Sequence, residues 1–170
     1  MDKIEVVESK LSFPEYEGRE ILFVHINGER LDEYISGYVS RNYLGLISPW
    51  LDLYDDECES SVEEKNFVWK QTELGVDEKI LPILLCPDDF DFSCTVIVAE
   101  VVNNKDTVVW SRIGVDISKF NPNGDGVFKY IGSTIEWFNN IRPLIFCKNE
   151  YTSCIDVFIR WNVEQQKYYD

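Results

Sequence analysis

The residues able to do chemistry are few and scattered. Cysteines stand at positions 58, 86, 94, 147 and 154, and the chain carries one histidine, His25. A Ser-His-Asp or Cys-His nucleophilic unit must use that histidine, because the base has to reach the nucleophile by a hydrogen bond. His25 sits in a β-branched, apolar run two residues before Asn27-Gly28, where a structural or surface role is the ordinary one, and no Gly-x-Ser-x-Gly elbow accompanies it. Cys154 falls on helical apolar spacing, which makes it a core residue. Zinc takes Cys and His ligands at close spacing, and no Cys-x-x-Cys occurs. Cys86 and Cys94 flank Asp88, Asp89 and Asp91, and a loop between two antiparallel strands would bring the two thiols together. These five residues are therefore the candidate metal ligands. The competing reading is two small residues at strand ends, with aspartates bonding their own backbone in a turn.

Other chemistries fit less well. The Asp88–Asp91 run lacks the glycine and the closing glutamate of an EF-hand loop, and Asn121–Gly126 has oxygen ligands without a bidentate acid after them. Neither a Gly-x-Gly-x-x-Gly pattern nor a Walker A loop is present, so no nucleotide cofactor is expected. Paired carboxylates can hydrolyse glycosides. With 31 acids in 170 residues, however, nothing singles out one pair.

Binding is the stronger expectation. The 31 acids face 16 bases, for a formal net charge of -15. That balance argues against the basic face a phosphate backbone needs and the polybasic surface an anionic membrane attracts. Seven of the acids fall in 52–64: Asp52, Asp55, Asp56, Glu57, Glu59, Glu63 and Glu64. They interleave with Trp50, Leu53 and Tyr54. One reading is a solvated loop leading into a helix whose N-terminal dipole favours acids. The other is a docking surface for a basic protein, with Asp55, Asp56, Glu57 and Glu59 steering the encounter and Trp50 and Tyr54 as aromatic anchors.

The elements that must position these residues read as follows. A strand over Ile4–Val7 precedes a clear one at Glu20–Ile26. Asn27-Gly28 then predicts a two-residue hairpin turn, because both positions accept positive φ, with a return strand at Glu29–Leu31. Asp32 is placed to cap a helix over Glu33–Tyr38. Ser61 and Glu64 have capping-box spacing for a helix over Val62–Thr72. Ile80–Cys86, Cys94–Val102 and Thr107–Val115 predict a three-strand antiparallel meander, with Asn103–Asp106 as its second turn. Val127–Ile131, Thr134–Phe138 and Arg142–Cys147 are further candidate strands. Asn149 opens a final helix over Glu150–Gln166, with Tyr151, Cys154, Ile155, Phe158, Ile159 and Val163 as its apolar stripe. The expected fold is a single α+β domain over 1–170. It has an antiparallel sheet of about five to seven strands, helices mainly on one face, and an amphipathic C-terminal helix.

Leu84-Leu85-Cys86-Pro87-Asp88-Asp89, Cys94–Val101 and Thr107–Gly114, with His25–Leu31 and the C-terminal helix, resemble a family of uncharacterised small bacterial proteins. The resemblance implies no chemistry for any residue. In size and acidity the chain is also similar to the immunity proteins of bacterial toxin–immunity systems, a likeness of type rather than motif. The charged start, Met1-Asp2-Lys3-Ile4-Glu5, does not read as a signal peptide, no apolar run is long enough to span a membrane, and the odd cysteine set suits a reducing compartment. The expectation is a cytoplasmic, non-catalytic acidic protein that uses no cofactor and binds a basic protein, with neutralisation of a basic toxin in an immunity role as one form of this. It binds neither nucleic acid nor membrane. The alternative is a small carboxylate- or metal-dependent hydrolase.

Overall fold

The computed structural model describes residues 1–11, 18–75, 78–118 and 131–168. The loop expected at 121–126 and most of the strand expected at 127–131 lie outside them.

The fold is α+β, as the sequence predicts, but its strands divide into two antiparallel sheets rather than one. The first joins β1 (Ile4–Lys10), β2 (Glu20–Ile26) and β3 (Glu29–Arg30) in that order. Asn27 and Gly28 sit at φ 52° and 85° between β2 and β3, the mirror-image turn that matches strand twist. The second sheet runs β4 (Glu78–Leu85), β5 (Val96–Asn103), β6 (Thr107–Asp116) and β7 (Ile135–Trp137), with β8 (Leu144–Cys147) also paired to β6. The expected meander is its centre. β4 occupies an edge of that order, which tolerates Pro82, and the register shifts between Pro82 and Leu84.

Among the described residues there are three helices: α1 (Leu31–Ser36), α2 (Glu59–Thr72) and α3 (Lys148–Gln166). α3 touches β1 of the first sheet and both β6 and β8 of the second, so it spans the seam between them. Its buried face is Tyr151, Cys154, Ile155, Phe158, Trp161 and Asn162. The expected stripe is thus rotated: Ile159 and Val163 are exposed, and Trp161 and Asn162 take the inward positions. Trp110 of β6 meets Phe146 of β8 and Tyr151 of α3 edge-on, at 5.2 and 6.3 Å between ring centroids. The buried apolar residues of both sheets and all three helices form one cluster.

Two expected helix caps are replaced by longer-range bonds. Asp32 does not cap α1, which begins one residue earlier at Leu31. Its carboxylate is buried, accepts both Arg30 Nε at 2.6 Å and Arg30 Nη2 at 2.7 Å, and also accepts the Gly45 amide at 2.8 Å. α2 begins at Glu59, before the expected Ser61 cap, and Cys58 occupies the cap position without a capping bond to the backbone, its Sγ lying 3.1 Å from Ser60 Oγ instead. Its inward stripe is Glu64, Val68 and Thr72, one residue per turn.

Candidate functional site

The acidic segment is held at its base by α3. Asn162 reaches across 112 positions of sequence to donate from Nδ2 to the Trp50 carbonyl at 2.9 Å. Its Oδ1 accepts the Asp52 amide, also at 2.9 Å. The Asp52 carboxylate accepts Lys65 Nζ of α2 and Gln166 Nε2 of α3, both at 2.8 Å. Asp52 therefore ties the start of the segment to two helices.

Trp50 and Tyr54 are buried, which corrects their expected role as partner anchors. Trp50 has no exposed surface, donates from Nε1 to the Pro82 carbonyl at 3.1 Å, and packs edge-on against Phe158 at 5.4 Å. The Tyr54 hydroxyl donates to the Pro49 carbonyl at 2.8 Å, and its ring meets Phe90 at 4.7 Å. Burial pushes the Tyr54 hydroxyl well above its ordinary pKa, and the nearby Glu64 and Asp52 carboxylates add to the effect. The physical reason is competition for area: a large ring with a polar tip gains more from a packed site that also satisfies its N–H or O–H.

The four expected steering carboxylates do lie outside. Asp55, Asp56, Glu57 and Glu59 are all exposed. Asp55 Oδ1 accepts the Glu57 amide at 3.0 Å and the Asp55 carbonyl accepts the Cys58 amide at 3.1 Å, which closes a turn into α2. Lys65 Nζ lies 3.9 Å from Asp56, whose side chain remains 76% exposed. Glu63 is exposed on the next turn.

Glu64 is the residue the sequence reading missed. Its spacing from Ser61 suggests a capping box, yet the side chain turns inward, and Oε2 accepts the Phe92 amide at 3.2 Å. Burial pushes its carboxyl up to about 7, and the Asp91 charge adds to this, while the Phe92 hydrogen bond opposes it. The signal that could have found it is the four-residue step to Val68, which puts both on one helical stripe.

Of the candidate metal ligands, only the thiols meet. Leu85 pairs with Val96, which sets Cys86 and Cys94 side by side at the mouth of one loop, near enough for Cys94 to add to the upward push that burial gives the Cys86 thiol. Asp88 and Asp89 are exposed, and Asp91 accepts the Ser93 amide at 2.9 Å together with the Ser93 hydroxyl. Among the described residues no three His, Cys, Asp or Glu side chains gather as ion ligands. The aspartates are spent on turn bonds and solvent, which corrects their grouping with the thiols. His25 lies mid-sheet, in register with Glu5 of β1 and Arg30 of β3. Cys154 is buried, donates to the Ile4 carbonyl at 3.5 Å, and has its thiol pushed up to about 11, mainly by burial.

The architecture defines an α+β protein of two antiparallel sheets seamed by a C-terminal helix. Compared with family models, with curated proteins and with solved structures, the chain matches none. Among the described residues no helix is long and apolar enough to cross a membrane.

Proposed function

We propose that this chain is a non-catalytic acidic protein that binds a basic protein partner through Asp55, Asp56, Glu57 and Glu59. The observation that supports this reading is the exposure of all four carboxylates on a backbone tied down by Asp52, Tyr54 and the turn into α2. A row of charge on an ordered base loses little freedom on binding and steers encounters from a distance. Trp50 and Tyr54 serve the surface from beneath, as its footing. The net charge of -15 extends the attraction over the whole molecule. In this reading the chain acts as an immunity protein, occupying the basic nucleic-acid-binding cleft of a toxin as an acidic mimic of the substrate.

The test is association kinetics with a basic partner recovered from the native host by pull-down. Neutralising the four carboxylates to Asn and Gln should slow association, with the difference fading as salt rises, and should leave dissociation nearly unchanged. Equal association rates for parent and variant at low salt overturn the reading.

The alternative hydrolase reading draws on the placement of Cys86 and Cys94 at the two ends of one loop, where a pair of metal ligands would stand. Stoichiometric zinc in the purified protein, lost on Cys86→Ser, would favour it.

A further inference from the structure

The loop between β4 and β5 brings two thiols together by register. β4 ends at Leu85, whose antiparallel partner is Val96, so the chain leaves and re-enters the sheet at one place. Cys86 follows Leu85 directly and Cys94 stands two residues before Val96, so the two side chains flank the mouth of the loop. Both thiols are half-buried, neither sealed in the core nor fully in solvent. Between them the loop is pinned from three sides. Phe90 packs on Tyr54, Phe92 packs on Phe67 at 6.0 Å, and Glu64 holds the Phe92 amide. The Phe90 amide also donates to the Cys86 carbonyl at 3.0 Å, and Phe90 itself sits at φ 47°. The two sulfurs therefore stay near each other because the whole loop is fixed.

We propose that Cys86 and Cys94 form a dithiol site that closes to an intramolecular disulfide by exchange with a low-molecular-weight disulfide such as oxidised glutathione. The pairing of Leu85 with Val96 sets the two cysteines at the same end of one antiparallel pair, the placement that a disulfide across the mouth of a loop needs. Either thiol can begin the exchange, and Cys94 is taken first. The Cys94 thiol loses its proton and attacks one sulfur of the small disulfide. That S–S bond breaks, one thiol leaves with the proton, and Cys94 carries a mixed disulfide. The Cys86 thiol then loses its proton, attacks the Cys94 sulfur and displaces the second small thiol, which takes up that proton. Two protein thiols are oxidised to one disulfide by two electrons, and the small disulfide is reduced to two thiols. The ring so closed pins both ends of the segment that carries Phe90 and Phe92. The inference stands independently of the partner-binding reading, since it rests on the loop alone.

The experiment treats the full-length reduced protein with oxidised glutathione, alkylates the remaining thiols, and maps peptides by mass without reduction. The expected product has lost two hydrogens, links the Cys86 and Cys94 peptides, leaves Cys58, Cys147 and Cys154 alkylated, and reverts with dithiothreitol. Cys86→Ser should stop the reaction at a persistent glutathione adduct on Cys94. A stable adduct on the parent without the link, or a link joining any other pair, overturns the proposal. Because mapping the parent decides the matter, a poorly folding variant would not protect the proposal from failure.

Discussion

The Glu64 carboxylate accepts the Phe92 amide at 3.2 Å, joining the inward stripe of α2 to the β4–β5 loop. A carboxylate so placed is poorly solvated, and its pKa rises to about 7 from an ordinary 4.5. The native state therefore binds more protons than the unfolded chain between those values. Stability from this group is complete below about pH 4.5, falls as pH rises toward about 7, and stays lost above that. Glu64→Gln keeps an acceptor for the Phe92 amide without the charge. It should gain about 1–2 kcal/mol relative to the parent at about pH 8, and lose that advantage near about pH 5. Denaturant unfolding at the two pH values measures it, and a pH-independent difference would show that Glu64 is not ionising in the fold.

Glu100 presents the opposite sign. Arg112 donates to it from Nε at 2.9 Å and from Nη2 at 2.6 Å, while the guanidinium stacks 4.0 Å over the Trp137 ring. The Arg112 bonds hold the Glu100 carboxyl down to about 2. Its stabilising contribution is present above the unfolded value and is lost as pH falls through about 2. Arg112→Ala should return the Glu100 titration toward the ordinary carboxylate range, read by carbon-detected NMR of the side-chain carboxyl. An unmoved midpoint would mean that the ion pair does not persist in solution.

Trp50 and Phe158 are fully buried and meet edge-on, so both should behave as core residues. Phe158→Ala should cost about 3–5 kcal/mol in chemical denaturation, and Trp50→Ala a similar amount. Because the rings touch, the double variant should lose less than the sum of the two. A Trp50→Ala cost below about 1 kcal/mol would place the ring at the surface and revive its role as an anchor.

Two glycines should fail for different reasons. Gly28 has φ +85° with nothing within 4 Å of an added Cβ, so Gly28→Val should meet only backbone strain, about 1–3 kcal/mol. Gly114 is in β6, where an added Cβ would lie 2.6 Å from the Glu136 carbonyl and 2.8 Å from Ile135 Cγ2. Gly114→Ala should push β7 off the sheet. Amide hydrogen exchange should show lost protection at Phe138, whose amide donates to the Ile113 carbonyl at 2.8 Å, and leave the β1–β2 ladder unchanged.

Much of the fold was legible because its signals are local. Asn27-Gly28 specifies its turn through the φ values of two residues, and the Asn103–Asp106 turn follows from short-range bonds such as the Asn104 amide donating to the Thr107 carbonyl at 2.9 Å. The strand periods and the helical spacing of Tyr151, Cys154, Ile155 and Phe158 likewise need only neighbours along the chain. The exposure of Asp55, Asp56, Glu57 and Glu59 is what their charge predicts, since carboxylates are seldom fully buried.

What tertiary structure decided lies at long range. Trp50 is inside because Pro82, 32 positions on, and Asn162, 112 positions on, satisfy its indole N–H and its carbonyl. Glu64 faces inward because Phe92, 28 positions on, offers an amide that outweighs a cap, and Cys86 meets Cys94 because β4 and β5 pair in one register. α3 bridges β1 of the first sheet to β6 and β8 of the second, and in that packing Trp161 is buried while Ile159 is exposed. A pattern of types along a chain states which residues can be buried. Which of them are buried depends on the partners that pairing and packing bring near, and those partners are distant in sequence.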